Sequence, residues 1–490
     1  MGTMTPRCPP KEPLVVILGS TGTGKSDLAV ELATRFRGEV VNADAMQLYQ
    51  GLPAITNKMT TAERRGIPHH LLDHIPLDEP AWVVGDFKRA ANKVIREIRS
   101  RGNLPIVVGG THYYTNALLF EDMFVGPGHE GQGEAAPAAD VVPASDAGRF
   151  PILDEPTEVI LAKLRDVDPV MADKWHPNDR RKISRSLQIY LSHGRPASEI
   201  YAEQKRRTIA AAAAATETAP RGPWENLLFW VYSEPEVLKP RLDRRVDKML
   251  DVGLMDEVLQ MQNHVRAREA SGQEVDYTKG IWQSIGFKEF QPYLAAAAAA
   301  AAATPADPDV EKRRAQGLED MKASTRRYAK SQVRWITTKV VPRLQEQPGA
   351  MDSLFVLDST DVAQWAANVA EPAAAIARRF LGGEPTPEPV GLSPLARKVL
   401  ETETAGRTPC QKTCQLCQVT CTTEQDWKKH MRSKRHHAIA RRTKRRALVV
   451  VEPEARPEAR PEKEAEVAIA AESRDSSPEI GLSAFGLPAP

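Results

Sequence analysis

The chain has 490 residues, with 66 Lys and Arg against 64 Asp and Glu. That length allows two or three domains, and the near-neutral balance excludes a generally polycationic binder, so any electrostatic argument must be local. Five cysteines are too few for a secreted disulfide framework, and no apolar run approaches the ~20 residues of a membrane-spanning helix.

The first ten residues hold one Arg and three Pro, a poor leader peptide, and Met4 offers a second start. Leu14 to Leu18 is a short apolar run that predicts a buried strand. Gly19 to Ser26 follows and completes the pattern G-x-x-x-x-G-K-S, and Asp27 to Ala33 has helical apolar spacing. Strand, glycine turn and helix are the setting of a phosphate-binding loop: glycines free backbone N–H groups to close on phosphate, Lys25 adds a positive charge, and Ser26 can bind Mg²⁺. Glu39 to Asp44 predicts a second strand ending in a carboxylate, Pro68 to Ile75 a loop with a short strand, and Trp82 to Ile98 a helix. Leu104 to Val108 predicts a third buried strand, running into Gly109, Gly110 and Thr111. Strands alternating with helices argue for an α/β fold, a P-loop NTPase-like parallel sheet whose ligands sit beyond the carboxyl ends of the strands. Asp44, Thr111 and the P-loop all fall at that edge.

Residues 12–125 therefore read as the first part of a P-loop core, and 126–150, rich in Gly, Ala, Pro and acid and without periodicity, as a flexible linker. Residues 151–206 read as a helical insertion, basic at Asp179 to Arg185 and followed by an alanine-rich tether. Leu227 to Tyr232 predicts a strand that returns to the sheet and opens the second part of the core, 225–360. Helices are expected over 235–265 and 277–293, then a nine-alanine run (Ala295 to Ala303) as a tolerated surface insertion. A long basic helix over 309–344 and a last strand at 354–357 follow, with the core ending near Gly382. Residues 408–446 read as a small finger with a basic extension and 447–490 as a disordered tail.

The third strand bears on the chemistry. An ATPase usually ends such a strand in an acid that holds Mg²⁺; this one ends in two glycines. The nearest strand-end acid is Asp44, which the residues alone leave open between helix cap and general base. Cys414, Cys417, His430 and His436 have the C-x₂-C-x₁₂-H-x₅-H spacing of a structural zinc site, with Val419 and Trp427 as its small core. Between Lys428 and Arg446 lie ten Lys and Arg and no acid. That run reads equally as an RNA clamp, a nuclear address or a solubilising tail.

Taken together, the segments Gly19 to Ser26, Asn42 to Tyr49, Ile55 to Lys58, Pro68 to Asp73, Val84 to Phe87, Val107 to Tyr114, Asp179 to Arg185, Arg241 to Met249, Gly280 to Phe290 and Thr325 to Gln332 resemble, in order, the tRNA dimethylallyltransferase (tRNA isopentenyltransferase) family. Its eukaryotic form adds a C-terminal C2H2-type zinc finger. The resemblance covers about residues 12 to 360 and the finger. It implies transfer of a dimethylallyl group from dimethylallyl diphosphate to N6 of the adenosine just 3′ of the anticodon, with a flipped base as acceptor.

The resemblance also implies roles. Gly19, Thr21, Gly22, Thr23, Gly24, Lys25 and Ser26 hold the diphosphate, with catalytic Mg²⁺ on Ser26. Asp44 is the general base, Thr111 contacts substrate, and Arg245 lies near the diphosphate. Asp44, Ala45, Met46 and Gln47, then Arg181, Lys182, Ile183, Ser184 and Arg185, touch tRNA, with Gln283, Lys288 and the Arg326 helix as further candidates. An isolated Arg-rich turn reads instead as a solvated helix face. The family usually places Ser after the catalytic Asp, and Ala45 stands there. The expected partners are the tRNA anticodon stem-loop and dimethylallyl diphosphate, with no membrane and a monomeric enzyme. The expected locations are cytoplasm and mitochondrion, and the nucleus if the basic run is an address. Two rivals remain: a P-loop kinase or NTPase carrying an RNA-binding finger, and a non-catalytic RNA-binding protein with a vestigial P-loop.

Overall fold

The computed structural model describes residues 9–120, 150–214, 224–301, 308–403, 409–417 and 419–447. The expected linker and tail lie outside the described residues, apart from their end residues Phe150 and Ala447. By its contacts the chain forms two compact units, 1–430 and 431–490.

The first unit is built on a six-stranded parallel sheet. Its strands are β1 (Pro13–Gly19), β2 (Gly38–Asn42), β3 (His69–His70), β4 (Leu104–Val108), β5 (Glu225–Tyr232) and β6 (Leu354–Asp358), in the order β3-β2-β4-β1-β5-β6. β1 is central, paired with β4 on one side and along its whole length with β5 on the other, from Pro13 opposite Glu225 to Gly19 opposite Val231. Both faces are covered, which is why these strands read as unbroken apolar runs rather than alternating ones. One face packs Val15, Ile17, Ile106 and Phe229 under helix α1 (Lys25–Phe36). The other packs Val16, Leu18, Val107 and Trp230 under α2 (Val84–Ser100), α3 (His112–Leu119) and their neighbours.

Between α3 and β5 the described chain forms four helices, α4 (Thr157–Val167), α5 (Pro169–Lys174), α6 (Arg180–His193) and α7 (Ala197–Ala214). They bury their own cluster of Ile160, Leu164, Met171, Ile183 and Leu187. Asp168 is buried at its centre and accepts from Met171 N and Ser198 N, joining the starts of α5 and α7. The tether reading of the alanine-rich stretch is corrected as far as Ala214, which is helix; alanine's propensity prevails there. After β5 come α8 (Pro235–Asp251), α9 (Leu254–Ala270), α10 (Gln291–Ala301), α11 (Pro308–Trp335) and α12 (Val341–Gln345), the last two joined by a π-helical stretch.

Two expectations are corrected. The helix expected over 277–293 begins only at Gln291. The stretch before it is turns and one 3₁₀ segment, because Gly280 (φ 56°) and Gly286 (φ 111°) hold left-handed backbone. A Cβ at Gly280 would lie 2.7 Å from the Tyr49 hydroxyl. Nor does the core end at 360 or at Gly382. Helix α13 (Glu371–Leu381) packs on the α1 face, and α14 (Pro394–Lys398) with the turn after it adds Leu395, Ala396, Val399 and Leu400 to the other. The Pro and Gly of 382–393 punctuate the chain without ending its packing.

The hairpin β7 (Pro409–Cys414) and β8 (Val419–Thr423) is followed by α15 (Glu424–Met431). Within the second unit the described chain is chiefly the basic helix α16 (Lys434–Ala447). No described helix is long and apolar enough to cross a membrane.

Candidate active site

A cleft of about 490 Å³ opens at the carboxyl edge of the sheet, lined by the P-loop, the end of β2, the end of β4 and one face of α8. The P-loop glycines are required by close approach as well as by backbone. Gly22 (φ 80°) and Gly24 (φ 83°) are left-handed, and a Cβ on Gly22 would lie 2.6 Å from Leu242. Gly24 also caps α1 without a side-chain acceptor, so the helix meets the cleft with its first N–H groups uncovered by any cap side chain.

Lys25 is buried, and its ammonium donates to Ser20 O at 2.6 Å. Burial brings its pKa down to about 7, against the opposing pull of Asp44 and with a further push from Arg245. Asp44 follows β2, where its Oδ1 accepts from Met46 N at 3.0 Å and its own N–H donates to Asn42 Oδ1 at 3.0 Å. Burial raises its pKa above the usual carboxylate value, while the Met46 N–H and Lys25 hold it down. The cap and base readings are thus compatible: Asp44 caps its own turn and still lines the cleft. Thr111 Oγ1 accepts from Ala45 N at 3.0 Å, and Thr111 N donates to Ala43 O at 3.2 Å, so the turns after β2 and β4 are laced together. Only glycine permits this. A Cβ on Gly109 would lie 2.1 Å from the Ala43 backbone, and one on Gly110 would lie 2.8 Å from Asp44 Oδ2.

Arg245 donates to Thr21 Oγ1 at 2.7 Å, which places it on the P-loop. Three more cations of α8 line the same cleft: Arg241, Arg244 and Lys248. Sequence reasoning took only Arg245, although the spacing 241, 244, 245, 248 marks a single helical face. Arg241 donates to Ser359 O and to Thr360 O, tying α8 to the loop after β6. Gln332, on α11, was also missed. Its Oε1 accepts from Thr21 N at 2.7 Å and its Nε2 donates to Gly110 O at 2.9 Å, so one buried amide spans the P-loop and the strand end beside Asp44. Nothing in a glutamine on a basic helix signals that.

Gly19, Thr21, Gly22, Thr23, Gly24, Lys25, Ser26, Asp44, Gln47, Thr111 and Arg245 are thus gathered around one cleft. Other candidates fall elsewhere. Gln283 and Lys288 lie in the turns before α10 and do not line it. Arg326 is engaged by Asp243 in an ion pair that, with Lys322 and Asp247 at 2.8 Å, fastens α11 to α8. On α6, Arg181, Lys182 and Arg185 are exposed, and the positive charge of Arg181 and Arg185 reaches Tyr113 at the edge of the sheet domain. Ile183 is corrected as a contact residue: its side chain is fully buried in the helical cluster. Ser184 Oγ is also buried.

Farther along the chain, ligand atoms of Cys414, Cys417, His430 and His436 lie within 4.8 Å of one another. Two sulfurs and two imidazoles suit a tetrahedral Zn²⁺, and hydrogen bonding to His430 holds the Cys414 thiol down at about 6. No disulfide occurs among the described residues.

The chain matches the family described as IPP transferase over residues 47–339 and the zinc-finger of C2H2 type over 412–436. It is 38% identical over 449 residues to the tRNA dimethylallyltransferase of Schizosaccharomyces pombe, covering 89% of this chain and 96% of that one. It is 34% identical to the tRNA dimethylallyltransferase of Homo sapiens, covering 86% and 85%. A solved eukaryotic dimethylallyltransferase acting on tRNA superposes with a TM-score of 0.70 at 32% identity, over 89% of this chain and 98% of that one.

Proposed function

The chain belongs to the IPP transferase family, and from that membership we infer that it is a tRNA dimethylallyltransferase. It transfers the dimethylallyl group of dimethylallyl diphosphate to N6 of the adenosine just 3′ of the anticodon, giving N6-isopentenyladenosine and diphosphate. The supporting observation is the pairing in one cleft of a P-loop with a strand-end carboxylate that belongs to β2, while β4, where an ATPase would carry its acid, ends in Gly109 and Gly110.

The chemistry follows from that placement. The N6 lone pair attacks the allylic carbon, the carbon–oxygen bond breaks, and its electron pair leaves with pyrophosphate. Asp44 takes the proton that N6 sheds; its raised pKa brings it closer to the basicity that task needs. Lys25, Arg245 and the open start of α1 face the negative charge that grows on the departing pyrophosphate. Ser26 and Asp27 line the cleft beside Lys25 and supply oxygen donors that fit Mg²⁺, which when bound adds further positive charge at the leaving group. The pocket has no built-in water-positioning acid at β4, which sets the hydrolytic rival aside.

The exposed basic turn of α6 is read as a second hold on the anticodon stem through phosphates. The four-ligand cluster is read as a structural zinc site on an RNA-binding finger, and the enzyme as a monomer of cytoplasm and mitochondrion. Purified protein incubated with unmodified tRNA, Mg²⁺ and dimethylallyl diphosphate should yield an adenosine heavier by one dimethylallyl group on nucleoside mass analysis. ATP turnover without that adduct would refute the reading.

A further inference from the structure

The cleft wall beyond Asp44 is made from two passes of chain between β2 and α2, residues 47–58 and 69–75. Gln47, Asn57, Lys58 and Leu72 from these passes line the cleft. The wall is strained. Leu52 (φ 54°), Asn57 (φ 51°), Leu71 (φ 57°) and Asp73 (φ 52°) all hold left-handed backbone without being glycine. Such conformations persist only where the surroundings over-determine them, and they gather where geometry is part of the mechanism.

Two buried charges impose it. The Lys58 side chain is 1% exposed, and its ammonium donates to Tyr49 O, Gly51 O and Asp73 Oδ1, so both passes are fastened to one nitrogen. Glu257, from α9, accepts from Ala54 N at 2.8 Å and Ile55 N at 2.7 Å, anchoring the turn from behind. The second pass reaches the base through Asn42, whose Nδ2 donates to Leu71 O at 2.7 Å and to Asp44 O at 3.1 Å. The consequence appears at Gln47. Its Nε2 donates to Thr56 O and to Asn57 O, both at 3.1 Å. With both N–H groups committed to backbone carbonyls, the amide has only its oxygen left to offer.

We propose that Lys58 is a positioning residue for the RNA half of the reaction: it holds the two passes together so that Gln47 presents a fixed hydrogen-bond acceptor to the base entering beside Asp44. An exocyclic amine satisfies that acceptor and a carbonyl does not, so the wall favours an aminopurine over an oxopurine. The proposal rests on the transferase reading above. Lys58 itself does no chemistry, because its ammonium is spent on the protein.

Lys58→Met keeps the stem and removes the three donations. In the full-length protein it should raise KM for unmodified tRNA at least tenfold, while the Kd for inorganic pyrophosphate stays within threefold of wild type. It should speed hydrogen exchange in both passes. It should also narrow the preference for an anticodon stem-loop bearing adenosine over one bearing inosine in competition binding. An unchanged tRNA KM overturns the proposal, and so does an equal loss of pyrophosphate affinity, which would mean a general collapse of the site. Should Lys58→Met fail to fold, Glu257→Gln decides by the same readouts, with a smaller shift in the same direction expected and no shift overturning the proposal. A wild-type protein that makes no adduct defeats the transferase reading alone. Hydrogen exchange and stem-loop competition then still show whether Lys58 fastens the wall.

Discussion

Replacing Asp44 by Asn changes one property of the site and leaves its shape. Asn keeps an oxygen for the Met46 N–H, which Asp44 holds at 3.0 Å, so the turn after β2 is preserved. What disappears is the proton acceptor. A positioned base contributes about 10²–10⁴ in rate, equivalent to ~2.7–5.4 kcal/mol in the barrier, and the chemical step should slow by that range. Stability should move the other way. The folded pKa of Asp44 is raised by burial, so the folded state holds its proton more tightly than the unfolded chain. The group's contribution to stability therefore declines as pH rises from about 4 through the raised value, and Asn escapes that decline. The variant should match or exceed wild type in Tm at pH 7. A second effect follows from the pull that Asp44 exerts on Lys25: without it the lysine pKa falls further, weakening the diphosphate hold. The assay is therefore single-turnover prenylation at saturating diphosphate, with melting curves at pH 5 and 7. A chemical step within threefold of wild type would refute the assignment of Asp44 as base.

The Lys25 pKa of about 7 means that the free enzyme loses this cation as pH rises through neutrality. Pyrophosphate affinity, measured by calorimetry relative to Lys25→Met, should fall by up to about tenfold per unit above that pKa, with proton uptake on binding; a pH-independent ratio would contradict it. Because the folded pKa lies below the unfolded one, wild-type stability should rise from pH 7 toward 10, and Lys25→Met should melt higher than wild type at pH 6. Gly110→Ala puts a methyl group 2.6 Å from Gln332 Nε2 and 2.8 Å from Asp44 Oδ2; it should cut kcat at least tenfold while binding pyrophosphate nearly normally. The protein should carry one zinc ion per chain by elemental analysis, and Cys417→Ser should lose it; full occupancy in that variant would exclude the cluster as the site.

Much of this architecture was open to reading because local and global signals agree. β1, the P-loop and α1 are dictated by an apolar run, three glycines and a helical repeat, and each occupies its expected place. Asp44 and Thr111 were placed by topology alone, since the ends of parallel strands share an edge. The failures have physical causes. The 277–290 stretch has apolar residues at helical spacing, but it turns on two left-handed glycines, Gly280 pressed against Tyr49 and Gly286 against Ile55, each more than 200 residues away. Arg244 and Lys248 share a face with Arg245, yet only tertiary packing shows that this face meets the P-loop. Gln332 and Lys58 each close a segment that resembles the family, yet neither segment announces the bridge that Gln332 makes or the three acceptors that Lys58 holds. Gln332 acts across more than 200 residues of chain, and Lys58 across turns whose left-handed backbone no local pattern records.

The seat of β1 has a consequence for how the protein is made. Its last residue pairs with Val231, so the strand carrying the P-loop lacks one neighbour while some 212 residues are still to be added. At bacterial to eukaryotic synthesis speeds of about 5–20 residues per second, that is a wait of roughly 10–40 s on the ribosome. The four-helix excursion, with a hydrophobic cluster of its own, can collapse in that interval without the sheet. The nascent amino-terminal half meanwhile exposes an apolar strand edge, which makes it a client for chaperones until β5 emerges.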